Sequence, residues 1–431
     1  MLDIKFIREN VDAVLRAAKV KNIKLDLDKL LEVDAKIVSM KTELQSYNEQ
    51  VNALSRDVVN ANVDEKKSII EQSKKIGTDA KKIEADLNIL QNEFDVLMRT
   101  IPQVPDADVP VGADDSENVV IKTVGEPTKF SFAPRSQIEL IEMNNWADFE
   151  RTASISGART LSLKGDLARL EIALHLYALD KLSDLGFKQI STPSICPADA
   201  VFAAGHYPGT DESIMESDVY KMEKDNLCLA GTSEIIINSL HKNEILNEAD
   251  LPILYAGYSP CFRREAGAAG KDTQGLIRVH QFMKVEEFVI CKNDIDESKK
   301  WHAILQKTME DLCADMNIPY HVLEACTGDM GFNKIRMVDI EAWVPSQEKY
   351  REVGSDSMIG EFQSRRTNLR YRETATGKVK FCHTLNNTGI ATPRFLVPFM
   401  ENNQNADGSV NIPNALQPYM KNLKKIGGKT S

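Results

Sequence analysis

Residues 261–286 read CFRREAGAAGKDTQGLIRVHQFMKVE. Two apolar stretches flank a run of small residues, Gly267-Ala268-Ala269-Gly270, with charged side chains at both mouths. The pattern predicts two strands joined by a loop with room to move. Arg263 closes the first strand and Arg278 stands near the start of the second. Phe282 and Glu286 are four apart and so share one face of the second strand. A guanidinium is a planar, permanently charged fork suited to phosphoryl oxygens. The aromatic ring could stack on a base, and the carboxylate could meet an ammonium or a hydroxyl. Taken alone, ion pairs on the surface of an ordinary hairpin explain the same residues.

Around this stretch the chain has a mixed texture. A helix is expected over 161–185 and a strand over Phe187–Ile195, with further strands near 251–263, 281–291, 337–344 and 379–385. Many are joined by short polar loops rather than long helices, which favours an antiparallel sheet. The expected fold class is α+β. Neither GxGxxG nor GxxxxGK[ST] occurs, so the two usual phosphate-binding loops are absent.

The first hundred residues differ. Leu30, Ile37, Leu44, Val51 and Val58 recur every seven residues, as do Val33, Met40, Tyr47 and Leu54. After a polar stretch from Asn60 to Glu65, Ile69, Ile76, Ile83, Leu90 and Leu97 form one seam and Ala80, Leu87, Phe94 and Ile101 its companion. Two heptad helices joined by a short polar turn predict a long antiparallel coiled-coil hairpin, each arm roughly 50 Å long at 1.5 Å per residue. Pro102, Pro105 and Pro110, set among aspartates, end the second helix. The expected organisation is an arm over 1–101, a linker over 102–125 and a catalytic body over 126–431. On the second arm Lys67, Lys74 and Lys81 are seven apart, as are Lys75 and Lys82, giving a basic stripe away from the apolar seam. Such a stripe can track phosphates, although a solvated coiled-coil flank has the same look.

The 431-residue chain has 42% hydrophobic and 27% charged residues, ordinary for a globular protein of two or three domains. It has no apolar run near the roughly 20 residues needed to span a bilayer and no secretory leader, which points to the cytoplasm and away from membranes. Seven scattered cysteines without a CxxC pair argue against a disulfide framework and against zinc. The net charge of −11 would argue against nucleic acid, but a local positive stripe outweighs global charge.

The whole 261–286 string resembles motif 2 of class II aminoacyl-tRNA synthetases in its seryl form, FRxEAG…GxDTxGLxRxHQFxKVE. Other seryl-type strings follow in order. The opening MLDIKFIRENVD resembles the family's N-terminus. Ser156-Gly157-Ala158-Arg159 and Leu163-Lys164-Gly165-Asp166 resemble the start of its catalytic domain. Phe187–Pro193 resembles motif 1, the dimer-interface element. Thr232-Ser233-Glu234 resembles the TxE serine loop, and Thr327–Phe332 is another family string. Thr384–Thr388 with Ala391–Arg394 resembles motif 3. The resemblance covers roughly residues 1 to 420.

It implies a class II catalytic domain, with a mainly antiparallel sheet flanked by helices, that activates L-serine with ATP and charges tRNA(Ser); a selenocysteine tRNA falls within the same resemblance. Arg263 would bind the α-phosphate and the serine carboxylate. Glu265 and Arg278 would orient the nucleotide, Arg278 towards the γ-phosphate, and Phe282 and Arg394 would sandwich the adenine. Glu352 and Ser355 would hold Mg2+. Thr232, Glu234 and Glu286 would grip the serine ammonium and hydroxyl, with Asn386 and Thr388 closing the pocket. The arm would clamp the tRNA through Lys67, Lys74, Lys75, Lys81 and Lys82, and the enzyme would be a homodimer.

The chain departs from the family at Gln274, where Arg is frequent, and at Ser355-Asp356-Ser357-Met358, where the family often has Ser-Cys-Ser-Asn. An amino acid:carrier-protein ligase related to the family lacks the long hairpin. A non-catalytic seryl-synthetase-like paralogue loses motif arginines or the serine-binding acid, and Arg263, Arg394 and Glu286 are all present here.

Overall fold

The computed structural model describes residues 1–206, 218–266 and 275–428. The small-residue loop Gly267–Gly270 and Gln274 lie outside the described residues.

Two short helices, α1 (Ile4–Glu9) and α2 (Val11–Val20), lead into the arm, α3 (Leu27–Asn60) and α4 (Val63–Arg99). The turn between the arm helices is set by Asn62. Its side chain accepts from the backbone of Asp64 and Glu65, while Glu65 reaches back to the Asn62 N–H, a capping box that starts the second helix. With 34 and 37 residues, the arms are about 50 Å long. The seam follows the heptads. Leu30, Val33, Ile37, Ala80, Leu87 and Ile101 are buried, and positions nearer the tip, such as Val51 and Ile69, are half-buried. At the root, Ile7 and Val14 pack with Leu30, Met98 and Ile101, and Arg8 grips Asp34 through two hydrogen bonds of 2.6 and 2.8 Å.

The body is built on one eight-stranded sheet. In chain order its strands are β1 (Val119–Val124), β2 (Lys188–Ser191), β3 (Ile253–Phe262), β4 (Gln281–Cys291), β5 (Tyr320–Glu324), β6 (Arg336–Val344), β7 (Lys349–Gly360) and β8 (His383–Thr392). They lie in the order β1-β5-β6-β7-β8-β4-β3-β2. Neighbours are antiparallel except the pair β2 and β3. Helices α5 (Gly165–Asp184) and α7 (Ile295–Asp315) cover one face. Leu167, Leu174, Leu305 and Met309 meet Val285, Val289, Ile340 and Leu385 there in the main core. The period of two along β4 then turns Phe282, Lys284 and Glu286 to the opposite face.

The structure refines several expectations. The helix expected from 161 runs Gly165–Asp184. The Phe187–Ile195 strand breaks at Pro193, leaving β2 and a separate strand at Ile195–Pro197, since proline cannot continue a ladder. The 379–385 strand is two, Val379–Phe381 and β8. Arg278 precedes β4 rather than starting it. Val119–Val124, within the segment read as linker, is the edge strand of the main sheet.

Candidate active site

The open face of the sheet carries a cavity of about 460 Å³. Arg263, Glu265, Phe282, Glu352, Ser355 and Arg394 line it, together with Thr232, Glu234, Glu286, Asn386 and Thr388. Arg278 does not line the cavity. It joins the site through Glu265, to which its guanidinium donates at 2.9 Å.

At one end, Arg263 leaves β3 with its backbone N–H donating to His280 O at 3.0 Å, so the two strands close on each other just before the loop. Its guanidinium carbon lies 5.3 Å from the centre of the Phe282 ring, within cation–π range. Glu265 has φ +52°, and its N–H donates to Asp218 at 3.1 Å. Arg394 follows the end of β8 and pairs with Glu352 at 3.5 Å. A flat aromatic and a guanidinium thus border a space flanked by permanent positive charge.

At the other end, helix α6 (Ser233–Leu240) approaches β3 closely. A Cβ on Gly257 would collide with the Ser233 side chain, so glycine is what lets the helix N-terminus sit against the sheet. Thr232 caps that helix, its hydroxyl accepting from Glu234 N–H at 3.2 Å. Glu234, 2% exposed, accepts from Gln363 at 2.6 Å and faces His206 at 3.2 Å. Burial pushes its carboxyl up, but His206, Lys284 and Gln363 together hold it below the usual range. Glu286, 1% exposed, pairs with Lys284 and accepts from Asn386 at 3.1 Å. Burial outweighs the Lys284 charge there and, with Glu234 nearby, raises its carboxyl. Thr388 is the cross-strand partner of Glu286. Two buried carboxylates with a hydroxyl and an amide beside them suit a small ammonium-bearing ligand, whose charge would favour the ionised form of both.

Along the wall formed by β6 and β7, Ser355 and the buried Asp339 are cross-strand partners next to Glu352, and all three line the cavity. Burial, and then the Glu352 charge, push the Asp339 carboxyl up to about 7. Hard oxygen donors of this kind fit Mg2+. Among the described residues no three His, Cys, Asp or Glu side chains gather as a cage.

The two described departures from the seryl pattern, Asp356 and Met358, are not among the residues that line the cavity. Ser355 and Ser357 line it. Asp356 points to the helix layer, 3.4 Å from His302, and Met358 is fully buried in the main core.

Sequence reasoning missed His206, Lys284, Asp339 and Gln363. Lys284 was within reach, since it lies midway between Phe282 and Glu286 on the same face. The five stripe lysines on α4 are all exposed, and none forms an ion pair among the described residues.

Two family models match the chain: the seryl-tRNA synthetase N-terminal domain over residues 1–105, and the class II tRNA synthetase core domain (G, H, P, S and T) over residues 218–403. The chain is 46% identical to a serine–tRNA ligase of Deinococcus radiodurans over 99% of both chains. It is 38% identical to one from Symbiobacterium thermophilum over 97% of this chain and 98% of that one. Its fold matches the seryl-tRNA synthetase of Pyrococcus horikoshii complexed with ATP at a TM-score of 0.91 and 33% identity, with both chains fully covered. It also matches the cytoplasmic serine–tRNA ligase of Naegleria fowleri complexed with AMP at a TM-score of 0.87 and 29% identity. With a full-length relative at this identity, and with its arm and core both matched, the chain belongs to the seryl-tRNA synthetase family.

Proposed function

We infer that this protein is a serine–tRNA ligase that uses ATP to form seryl-adenylate and passes the seryl group to the 3′ end of tRNA(Ser). The observation that carries the reading is one cavity lined by Arg263, Phe282 and Arg394 together with the buried carboxylates Glu234 and Glu286. In the first step a serine carboxylate oxygen attacks the α-phosphorus and pyrophosphate leaves. In the second a ribose hydroxyl of the tRNA attacks the seryl carbonyl and AMP leaves.

Attacking group and target are both negative, so alignment and charge neutralisation dominate over acid–base chemistry. Arg263 lies where it can bridge the serine carboxylate and the α-phosphate. Phe282 and Arg394 hold the adenine between them, and Glu265 with Arg278 orients the nucleotide. Glu352 and Ser355, with Asp339 behind them, would hold Mg2+, which when bound neutralises phosphate charge. Glu234, Glu286 and Thr232 take the serine ammonium and hydroxyl, and Asn386 and Thr388 close that end. Alanine and glycine leave those buried groups unpaired and are rejected strongly. Threonine is excluded by fit.

The arm, residues 1–101, takes the tRNA by shape and backbone through Lys67, Lys74, Lys75, Lys81 and Lys82. The 102–125 segment hands over to the catalytic body, 126–431. The motif 1 region joins two copies in a homodimer, so the arm of one subunit serves tRNA charged on the other. The enzyme works in the cytoplasm; no helix among the described residues is long and apolar enough to cross a membrane.

The test is ATP–pyrophosphate exchange across serine, threonine, alanine, glycine and cysteine, followed by tRNA charging. Exchange with serine alone, and transfer to tRNA(Ser), is the expected result. Exchange without charging would favour the carrier-ligase reading, and no exchange the non-catalytic paralogue.

A further inference from the structure

Both ends of the arm fasten to the same wall of the cavity. Lys21 lies just past α2, shortly before the arm begins, and Gln103 lies shortly after it ends. The Lys21 side chain crosses to the catalytic body. There its ammonium donates to three carbonyls, those of Gly331 at 3.3 Å, Phe332 at 3.4 Å and Lys334 at 2.6 Å. A lysine has three N–H donors, and each of these has an acceptor. From the far side of the arm, the Gln103 backbone N–H donates to Phe332 O at 2.8 Å, and its side-chain amide donates to Ile359 O at 3.0 Å. The segment so held is cavity wall: Gly331, Phe332, Asn333 and Lys334 all line the site. Asn333 continues the chain of contacts by donating to Ala204 O at 3.3 Å.

Packing alone does not explain a lysine here. The residue is 6% exposed, and burial, followed by the charge of Lys334, pulls its ammonium down to about 7. A buried charge is costly unless its hydrogen bonds are met, and a methionine would fill similar space without that cost. What the lysine adds is the three bonds that fix the wall.

We propose that Lys21 is a positioning residue for the adenylation site, its ammonium holding the Gly331–Lys334 wall in place and tying that wall to the root of the arm. The proposal rests on the reading of this cavity as the site of seryl-adenylate formation. A displacement of the arm root would reach the wall through Lys21 and Gln103.

The test is Lys21→Met in the full chain, measured by serine-dependent ATP–pyrophosphate exchange alongside thermal unfolding. The expected result is a rise of about tenfold in KM for ATP or serine, with kcat within about twofold and the variant still fully folded at the assay temperature. Lys21→Gln, which shortens the reach and removes the charge, should shift the same KM and stands in if the methionine variant does not fold. Combined with Asn333→Ala, Lys21→Met should add little beyond the worse single change, because both act through one segment. Unchanged KM in both variants, a kcat loss that simply tracks Tm, or fully additive effects with Asn333→Ala would overturn the proposal. Absence of exchange in the unmodified protein would instead indict the adenylation reading.

Discussion

Arg263→Ala lowers serine-dependent ATP–pyrophosphate exchange by about 10³-fold or more while leaving the fold intact. The expectation follows from what the reaction needs. Removing a single neutral donor from a site of developing negative charge costs about 10²–10³-fold. Arg263 is charged and is assigned to two anions, the attacking carboxylate and the phosphate it attacks. Among the described residues the nearby cations are already engaged, Arg278 with Glu265, Arg394 with Glu352 and Lys284 with Glu286. The local fold does not depend on the guanidinium, since the strand closure at this point is made by the Arg263 backbone and His280. Unfolding should therefore be nearly unchanged, within the roughly 0.5 kcal/mol typical of substitutions that touch no core or buried network. Exchange near the unmodified rate would remove Arg263 from the mechanism.

Reversing Lys67, Lys74 and Lys81 to glutamate separates the two halves of the reaction. Exchange should stay within about twofold of the unmodified enzyme, because these side chains are exposed on the first half of α4 and none belongs to the cavity lining. Charging should fall by about 10²-fold in kcat/KM for tRNA, with each lost phosphate contact removing close to one unit from the salt slope. The slope of log K against log salt should thus drop by about 2–3. The measurement is charging kinetics over a salt series beside exchange at one salt. If the tRNA KM and its salt dependence both survive the reversal, the stripe is a solvated flank and the RNA is held elsewhere.

The parts of this molecule that were legible in its sequence share one property: they repeat, or they sit close together in the chain. The arm was readable because Leu30, Ile37 and Leu44 keep a period of seven, and a sustained period has few structural solutions. The β3–β4 hairpin was readable because its strands are apolar and its charged ends are compressed into 26 residues. Strand β7 was not, although with 12 residues it is the longest in the sheet. Glu352, Ser355 and Ser357 line the cavity, while Gly354 and Asp356 meet Met309 and His302 of the helix layer, so no apolar alternation survives. A strand that serves a polar site loses the pattern by which strands are recognised.

The site divides in the same way. Phe282 and Glu286 could be grouped from strand spacing, and Arg263 joined them through the motif 2 resemblance. Gln363, which holds Glu234 from 129 positions away, and Lys21, which reaches more than 300 positions along the chain, become visible only once the chain is folded. Asp339 is similar: it matters because burial and Glu352 act on it together, and neither is a local property. The arrangement of Arg278 shows the opposite limit. Its place in a motif was plain, but that it pairs with Glu265 and is not among the cavity-lining residues is a matter of side-chain geometry.

The most direct test is a crystal structure with a nonhydrolysable seryl-adenylate analogue. The account requires the adenine between Phe282 and Arg394, the phosphoryl group on Arg263, and the seryl ammonium and hydroxyl against Glu234, Glu286 and Thr232. An analogue bound outside this cavity, or a cavity left empty at saturating concentration, would contradict it.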